Sequence, residues 1–167
     1  MAQEKNDGAI YGVTDIYLNG RKLGLISEDG LQPGGDSPSK TRIWAAQKRN
    51  APFLVIKSTP GSKNWTFTMI EMIPENIIQV NGGSVDNQGV YTAPSNEMEI
   101  EGVVDIHATS GHVLRIYRGM ITSNFANGFN FTQALGMACE LEMQEGVGDT
   151  PAYRIFPPGV TPPEITE

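Results

Sequence analysis

The sequence predicts a mainly β fold: a β-sandwich or partial barrel with one short flanking helix, a long inter-strand loop and extended terminal arms. Three features lead there. Short runs rich in aromatic and β-branched residues recur along the chain, separated by turn signals. Asn19-Gly20 joins two of them, and this dipeptide supplies the two positive φ angles that a type I′ hairpin turn requires. One stretch alone carries the start and stop signals of a helix. The 19 glycines and 11 prolines provide turns without reaching the proportion of a low-complexity chain. At 167 residues the chain suits a single domain, expected over 13–145 between an N-terminal arm, 1–12, and a Pro-rich C-terminal arm, 146–167.

The elements follow in order. Residues 1–8 are polar and expected to be mobile. Val13–Leu18 and Lys22–Ile26 flank the Asn19-Gly20 turn as a hairpin. Residues 27–40 are full of Gly, Pro, Ser and Asp and form a long loop, a kind of segment that is usually functional or disordered when it occurs in a compact domain. Strands are expected at 41–48, 53–58 and 65–73. Residues 74–83 are the helix: Pro74 suits its first position, Glu75 favours its positive end, and Asn81-Gly82 stops it. Short strand 89–93 precedes a longer one over 96–108, which turns near Thr109–Gly111 into strand 112–121. Segment 131–145 is rich in helix formers, yet Cys139, Leu141 and Met143 alternate with Glu140 and Glu142, so it is assigned as strand. The four-proline segment after Tyr153 reads as an arm lying on a surface. About seven or eight strands with turns between them define the sandwich.

Composition removes several functions. The net charge of −7 argues against gripping a nucleic acid through its phosphates. Cys139 is the single cysteine, so no internal disulfide forms, and its apolar surroundings mark it as a small core residue. The hydrophilic start lacks a signal-peptide core, and no apolar run approaches the ~20 residues of a membrane span; a soluble product, cytoplasmic at synthesis, is expected.

Catalytic signals are weak. His107 and His112 are expected to face each other across the 108–111 turn, where a third ligand would be needed to hold a metal. Ser110 and Ser123 lie nearby without a nucleophile elbow. The glycines of 30–35 lack the Lys-Ser/Thr of a phosphate loop. No cofactor, metal or catalytic residue is assigned, and a hydrolase using the two histidines ranks last.

The sharper signal is acidic. Glu97, Glu99, Glu101 and Asp105 fall on one face of the 96–108 strand, and Glu140 and Glu142 add a second acidic face. The opposite faces, Met98, Ile100, Val104 and Ile106, then Cys139, Leu141 and Met143, suit a core. A solvated outer sheet face explains much of this. Yet residues 86–111 contain no Lys or Arg to relieve repulsion between neighbouring carboxylates, while basic residues collect at Lys40–Arg49 and at Arg115 and Arg118. Carboxylates two residues apart on a flat strand stand about 6.5–7 Å apart and cannot close a calcium shell. A surface past which a polyanion must slide without sticking would be built this way, because every cation would add a phosphate contact.

The order of parts resembles the phage tail tube (major tail) proteins of the long, non-contractile type. The similarity lies in VTDIYLNGRKLGLISEDG, a hairpin entering a long loop, in WTFTMIEMIPENIIQVNGG, a strand followed by a short helix and glycine stop, and in SGHVLRIYRGMITSNFANGFNFTQALGMACELEMQE, a hairpin arm and final long strand. The resemblance implies hexameric rings that stack into a tube, with the sheets of six copies joined into one inner barrel through which DNA passes unbound. It implies that loop 27–50 contacts the next ring, with Leu31, Pro33, Arg42, Trp44, Lys48 and Arg49 as candidates, and that both terminal arms bridge neighbours. The strands around 96–106 and 138–144 would line the bore, making Glu97, Glu99, Glu101, Asp105, Glu140 and Glu142 the lumen candidates. The implied partners are further copies of the chain and tail terminator, tape measure and baseplate or tip proteins, in the virion tail after assembly from the host cytoplasm, with no membrane. Two features depart from the family pattern. The Pro-rich tail has no place in it, and Arg115 and Arg118 lie on the strand expected to pair with the acidic one, where sharing its face would neutralise part of it. The alternative is a monomeric β-sandwich module binding carbohydrate or protein, with Trp44 as its best exposed aromatic and Trp65 buried.

Overall fold

A computed structural model describes residues 8–165; positions 1–7 of the expected N-terminal arm and 166–167 of the tail lie outside the described residues. The strands are β1 (Asp15–Leu18), β2 (Arg21–Lys22), β3 (Gln32–Gly34), β4 (Ser39–Ile43), β5 (Leu54–Thr59), β6 (Asn64–Met69), β7 (Ser84–Val85), β8 (Tyr91–Thr92), β9 (Ile100–His107), β10 (Val113–Ala126), β11 (Gly136–Met143) and β12 (Tyr153–Phe156), with the helix α1 (Pro74–Asn81) between β6 and β7. The mainly β architecture with one short helix is as the sequence predicts. The main sheet is antiparallel and runs β2-β1-β9-β10-β11-β6-β3, with β12 on β10. β4–β5 and β7–β8 are separate two-stranded units.

β10 organises the molecule. Its first half, Val113–Ile116, lies between β9 and β12, and its second half, Gly119–Ala126, pairs with β11. The register with β9 shifts between Ile116 and Gly119, a bulge that bends the long strand. Gly119 suits that bend because a Cβ there would come within 2.6 Å of Leu141 Cδ1. The core lies against this bent sheet: Ile16 and Leu18 from β1, Val104 and Ile106 from β9, Ile116 and Ile121 from β10, Met137, Cys139 and Leu141 from β11, and Phe67 and Met69 from β6.

The opening hairpin forms around Asn19 (φ 51°) and Gly20 (φ 81°), both in the region the turn requires. α1 starts at Pro74, carries Glu75 in its first turn and stops before Gly82, whose N–H donates to Ile78 O. Val80 seals the helix onto the core, and Ser123 Oγ of β10 donates to Val80 O at 2.9 Å.

Several expected boundaries shift. The 27–50 stretch contains β3, an edge strand of the main sheet, and β4, so it is not a plain loop. The strands expected at 41–48 and 53–58 become β4 and β5, a hairpin exposed at every strand position and separate from the main sheet. Strand 65–73 ends at Met69, since the chain must turn out to present Pro74 as a helix start. Trp65 is half-buried rather than buried. The acidic strand begins only at Ile100; residues 96–99 are irregular, and Met98, expected in the core, is 52% exposed. Glu97 and Glu99, poor strand formers that repel each other in a strand, leave the ladder there. Finally, part of the Pro-rich arm is β12, paired in register with β10 from Val113↔Phe156 to Ile116↔Tyr153.

Candidate functional site

An acidic sheet face, a projecting basic hairpin and an aromatic loop tip are the features with chemical character. The sheet face is built by register. One outward row runs Glu101, Met120, Glu142, Asn64 and Gly34 across β9, β10, β11, β6 and β3; the next runs Thr122, Glu140, Thr66 and Gln32. The row between them points inward through Ile121, Leu141 and Trp65, which places the carboxylates on the opposite side from the core. None of the outward residues named is basic. Asn64 Nδ2 donates to Glu140 Oε1 at 2.6 Å, and Arg118 Nε reaches over to Glu101 Oε1 at 2.7 Å. Both Glu101 and Arg118 side chains are 42% exposed, so this pair contributes ~0–1 kcal/mol.

Asp105 does not belong to the exposed face. It shares the outward side of β9 with Glu101, but stands directly opposite Arg115 on β10. Arg115 Nε and one terminal nitrogen donate to the two carboxylate oxygens at 2.7 and 2.9 Å. The residues are only 7% and 5% exposed. The C-terminal arm supplies the cover: the other terminal nitrogen of Arg115 donates to Pro163 O at 2.6 Å, and the guanidinium carbon lies 6.0 Å from the Phe156 ring centroid. The hydrogen bond to Asp105 holds the Arg115 pKa above its ordinary value. Both cations of β10 thus neutralise acids across the strand pair, one in the open and one buried.

Glu97 and Glu99 are exposed on the irregular segment before β9, and Glu140 and Glu142 are exposed on β11 beside the buried Cys139 and Leu141. The histidines do not face each other. His107 lies opposite Val113 and packs edge-on against Tyr17, with centroids 4.9 Å apart; His112 Nδ1 is 3.0 Å from Ser110 Oγ. Among the described residues no group of three His, Cys, Asp or Glu is placed to hold a metal. Burial pushes the Cys139 thiol up to about 12, which keeps it protonated and unreactive.

The β4–β5 hairpin stands away from the main sheet. Ile43, Trp44, Phe53, Leu54, Val55 and Ile56 are exposed on or beside it, among Lys40, Arg42, Lys48, Arg49 and Lys57. Residues 37–63 contain no acid, so this unit is a cationic counterpart of the acidic sheet face. Of the contact candidates, Arg42, Trp44, Lys48 and Arg49 lie on the hairpin, whereas Pro33 is in β3 opposite Trp65 and Leu31 is half-buried against the core.

Sequence reasoning missed the tip between β10 and β11. Phe125, Phe129 and Phe131 are exposed there, the last two almost fully. Asparagine side chains shape the loop: Asn127, at φ 63°, donates to Ala134 O, and Asn130 Oδ1 accepts from the N–H groups of Thr132 and Gln133. The available signal was three phenylalanines within seven residues of an Asn/Gly-rich stretch, where apolar side chains have no core to enter. Also unforeseen is a mainly apolar groove of about 710 Å³ lined by Ile10, Tyr11, Trp65, Leu114 and Ile155, with the exposed carboxylates of Glu28 and Asp29 also in its lining. No helix among the described residues is long and apolar enough to cross a membrane.

Comparison of the sequence with protein-family models and with curated proteins gives no match.

Proposed function

We propose that the chain is a self-assembling tail tube subunit whose rings stack around a bore that conducts DNA. The observation that carries this reading is the exposed face bearing Glu101, Glu140 and Glu142 on a sheet with open edges at β2 and β3. Unpaired strand edges seek partners, and a ring of copies that joins its sheets removes those edges. A few carboxylates per copy, repeated around an axis, then form a wall that repels phosphates, with a field confined to ~8 Å at physiological salt. The cationic, apolar β4–β5 hairpin supports stacking, since it projects from the body and offers charge opposite to that wall. In this reading the virion tail is the site of action, and the tube meets terminator, tape measure and baseplate or tip proteins at its ends.

The alternative, a monomeric binding module, draws support from the groove beside Trp65 and Tyr11. Electron microscopy of concentrated protein separates the two. Hollow rods are expected; a resolved rod in which Glu140 and Glu142 point away from the axis would overturn the bore assignment. A monomer at every concentration, binding a ligand beside Trp65, would favour the module.

A further inference from the structure

Among the described residues β12 is paired on one side only, with β10. Its side chains do not hide the free edge, since Tyr153 is 41% and Ile155 50% exposed. An edge with apolar side chains and unpaired main-chain groups is a template for another strand, and proteins ordinarily cover or charge it. Beside this edge the surface is concave. The groove of about 710 Å³ shares Trp65, Leu114 and Ile155 with a second depression of about 270 Å³, which Gly34 of β3 and Tyr153 of β12 also line. Charge gives this trough a direction. Glu28 and Asp29 line only the groove and Lys63 only the second depression, and all three are exposed. Among the described residues none of the three is in an ion pair. β12 runs along the trough: its first residue, Tyr153, lines only the Lys63 end, and Ile155 lines both parts. A strand added antiparallel to β12 therefore begins beside the two carboxylates and ends beside Lys63.

We propose that this trough binds an extended peptide segment of a partner protein, added antiparallel to β12. Its apolar side chains lie on Trp65, Leu114 and Ile155, its basic N-terminal end meets Glu28 and Asp29, and its acidic C-terminal end meets Lys63. The free edge selects a strand over other occupants, because a sugar or a small apolar molecule has no row of amides and carbonyls to pair with β12. Antiparallel pairing is also the more stable of the two per residue. The charges select the polarity: a basic end opposite the two carboxylates and an acidic end opposite Lys63 are each attracted, and the reverse arrangement is repelled at both ends. The groove lies within the roughly 300–1,000 Å³ of a specific binding cleft. This site names a ligand class for the groove, and it holds whether or not the chain also forms a tube.

The test uses the full chain carrying Trp44→Phe, which leaves Trp65 as the one tryptophan, at a concentration where the chain is monomeric. The probe is the synthetic peptide RVTVTVE, which alternates apolar and polar residues between a basic start and an acidic end. A saturable shift of Trp65 emission is expected. The peptide EVTVTVR, of the same composition with its end charges exchanged, should bind about 10-fold more weakly. Glu28→Gln combined with Asp29→Asn should shrink that preference while leaving the circular dichroism spectrum unchanged. Only one edge of an added strand pairs with β12, so N-methylation of alternate residues should abolish binding for one set and spare it for the other. No saturable shift up to the solubility limit of RVTVTVE would overturn the proposal. Equal affinity for the two charge-exchanged peptides would do so as well, and so would equal effects of the two N-methylation sets. Rods assembled from a chain whose monomer ignores the peptide would refute this site and leave the tube reading standing. Peptide binding by a chain that never forms rods would do the reverse.

Discussion

Glu101 and Asp105 stand four residues apart on the same side of β9, and each meets an arginine of β10, yet one remains open to water and the other is closed off. The difference lies in what covers them. Around Asp105, β10 pairs with β12, and the C-terminal arm passes close enough for Pro163 to accept a hydrogen bond from Arg115. Around Glu101, β10 pairs with β11, whose outward residues are Glu140 and Glu142, and among the described residues no segment closes over the carboxylate, which stays 42% exposed. Strand parity places a carboxylate on a face; the partner on the next strand and the segment above it decide whether that charge is an exposed field or a buried constraint.

The largest effect should come from breaking the closed half. Arg115→Met leaves Asp105 buried without its cation and should cost about 3–5 kcal/mol in chemical denaturation at neutral pH. The double variant Asp105→Leu with Arg115→Met should recover most of that loss, because a buried ion pair gains little over apolar residues of similar volume. If the single variant costs no more than an exposed pair, the contrast between the halves collapses.

Beneath the open half the support is ordinary packing. Leu141 is fully buried and lies directly between the outward Glu140 and Glu142. Leu141→Ala should cost about 2–5 kcal/mol by the same measurement, since the bulged strand above it can collapse only partly into the space.

These two halves also show how far the sequence could be read. The hairpin at Asn19-Gly20, the helix from Pro74 and the alternation of Cys139, Leu141 and Met143 with Glu140 and Glu142 depend on local chemistry, and each was legible. The cross-strand neutralisation by Arg115 and Arg118 could be foreseen as a risk to a uniformly negative face. The burial of Asp105 could not, because its cover comes from residues 48 to 58 positions further on, a segment whose prolines suggested only an arm. The β4–β5 hairpin was legible as strands but not in its placement. Phe53–Ile56 reads as a strand by composition, and local sequence does not reveal that β4 is its only paired neighbour among the described residues or that its apolar side chains stay exposed. The phenylalanine tip was passed over because its asparagines and glycines dominate the pattern.

Cys139 gives a prediction of intermediate size. Its thiol keeps its proton to about pH 12 in the folded chain, against an ordinary value of 9.0, through burial. Below pH 9 both folded and unfolded chains hold that proton and stability is unaffected. Between about pH 9 and 12 only the unfolded chain releases it, so stability falls as pH rises, with a limiting slope of ~1.4 kcal/mol per pH unit. Cys139→Ala should lower the alkaline slope by that amount and leave the neutral-pH slope unchanged.

Glu101→Gln is expected to be smaller still, ~0.2–1 kcal/mol, and smaller again at high salt, because the Arg118 pair is exposed and screened. A loss near that of Arg115→Met would show that the open half is closed in solution.

The smallest stability change should come with the largest functional one. Glu140 and Glu142 are exposed, so replacing both with Lys should alter folding free energy by only about 0.5 kcal/mol, although Glu140→Lys also gives up the hydrogen bond from Asn64. If this face bounds a bore, repetition around the ring turns a wall that excludes phosphates into one that holds them. Assembled particles of the Lys variant should retain double-stranded DNA fragments on filtration, and retention should fall steeply between 50 and 200 mM salt as counterions compete for the new cations. Wild-type particles should retain none at either salt. Equal retention by both particles would place these carboxylates on a surface the DNA never meets, and the open half of the sheet would then be a solvated face like any other.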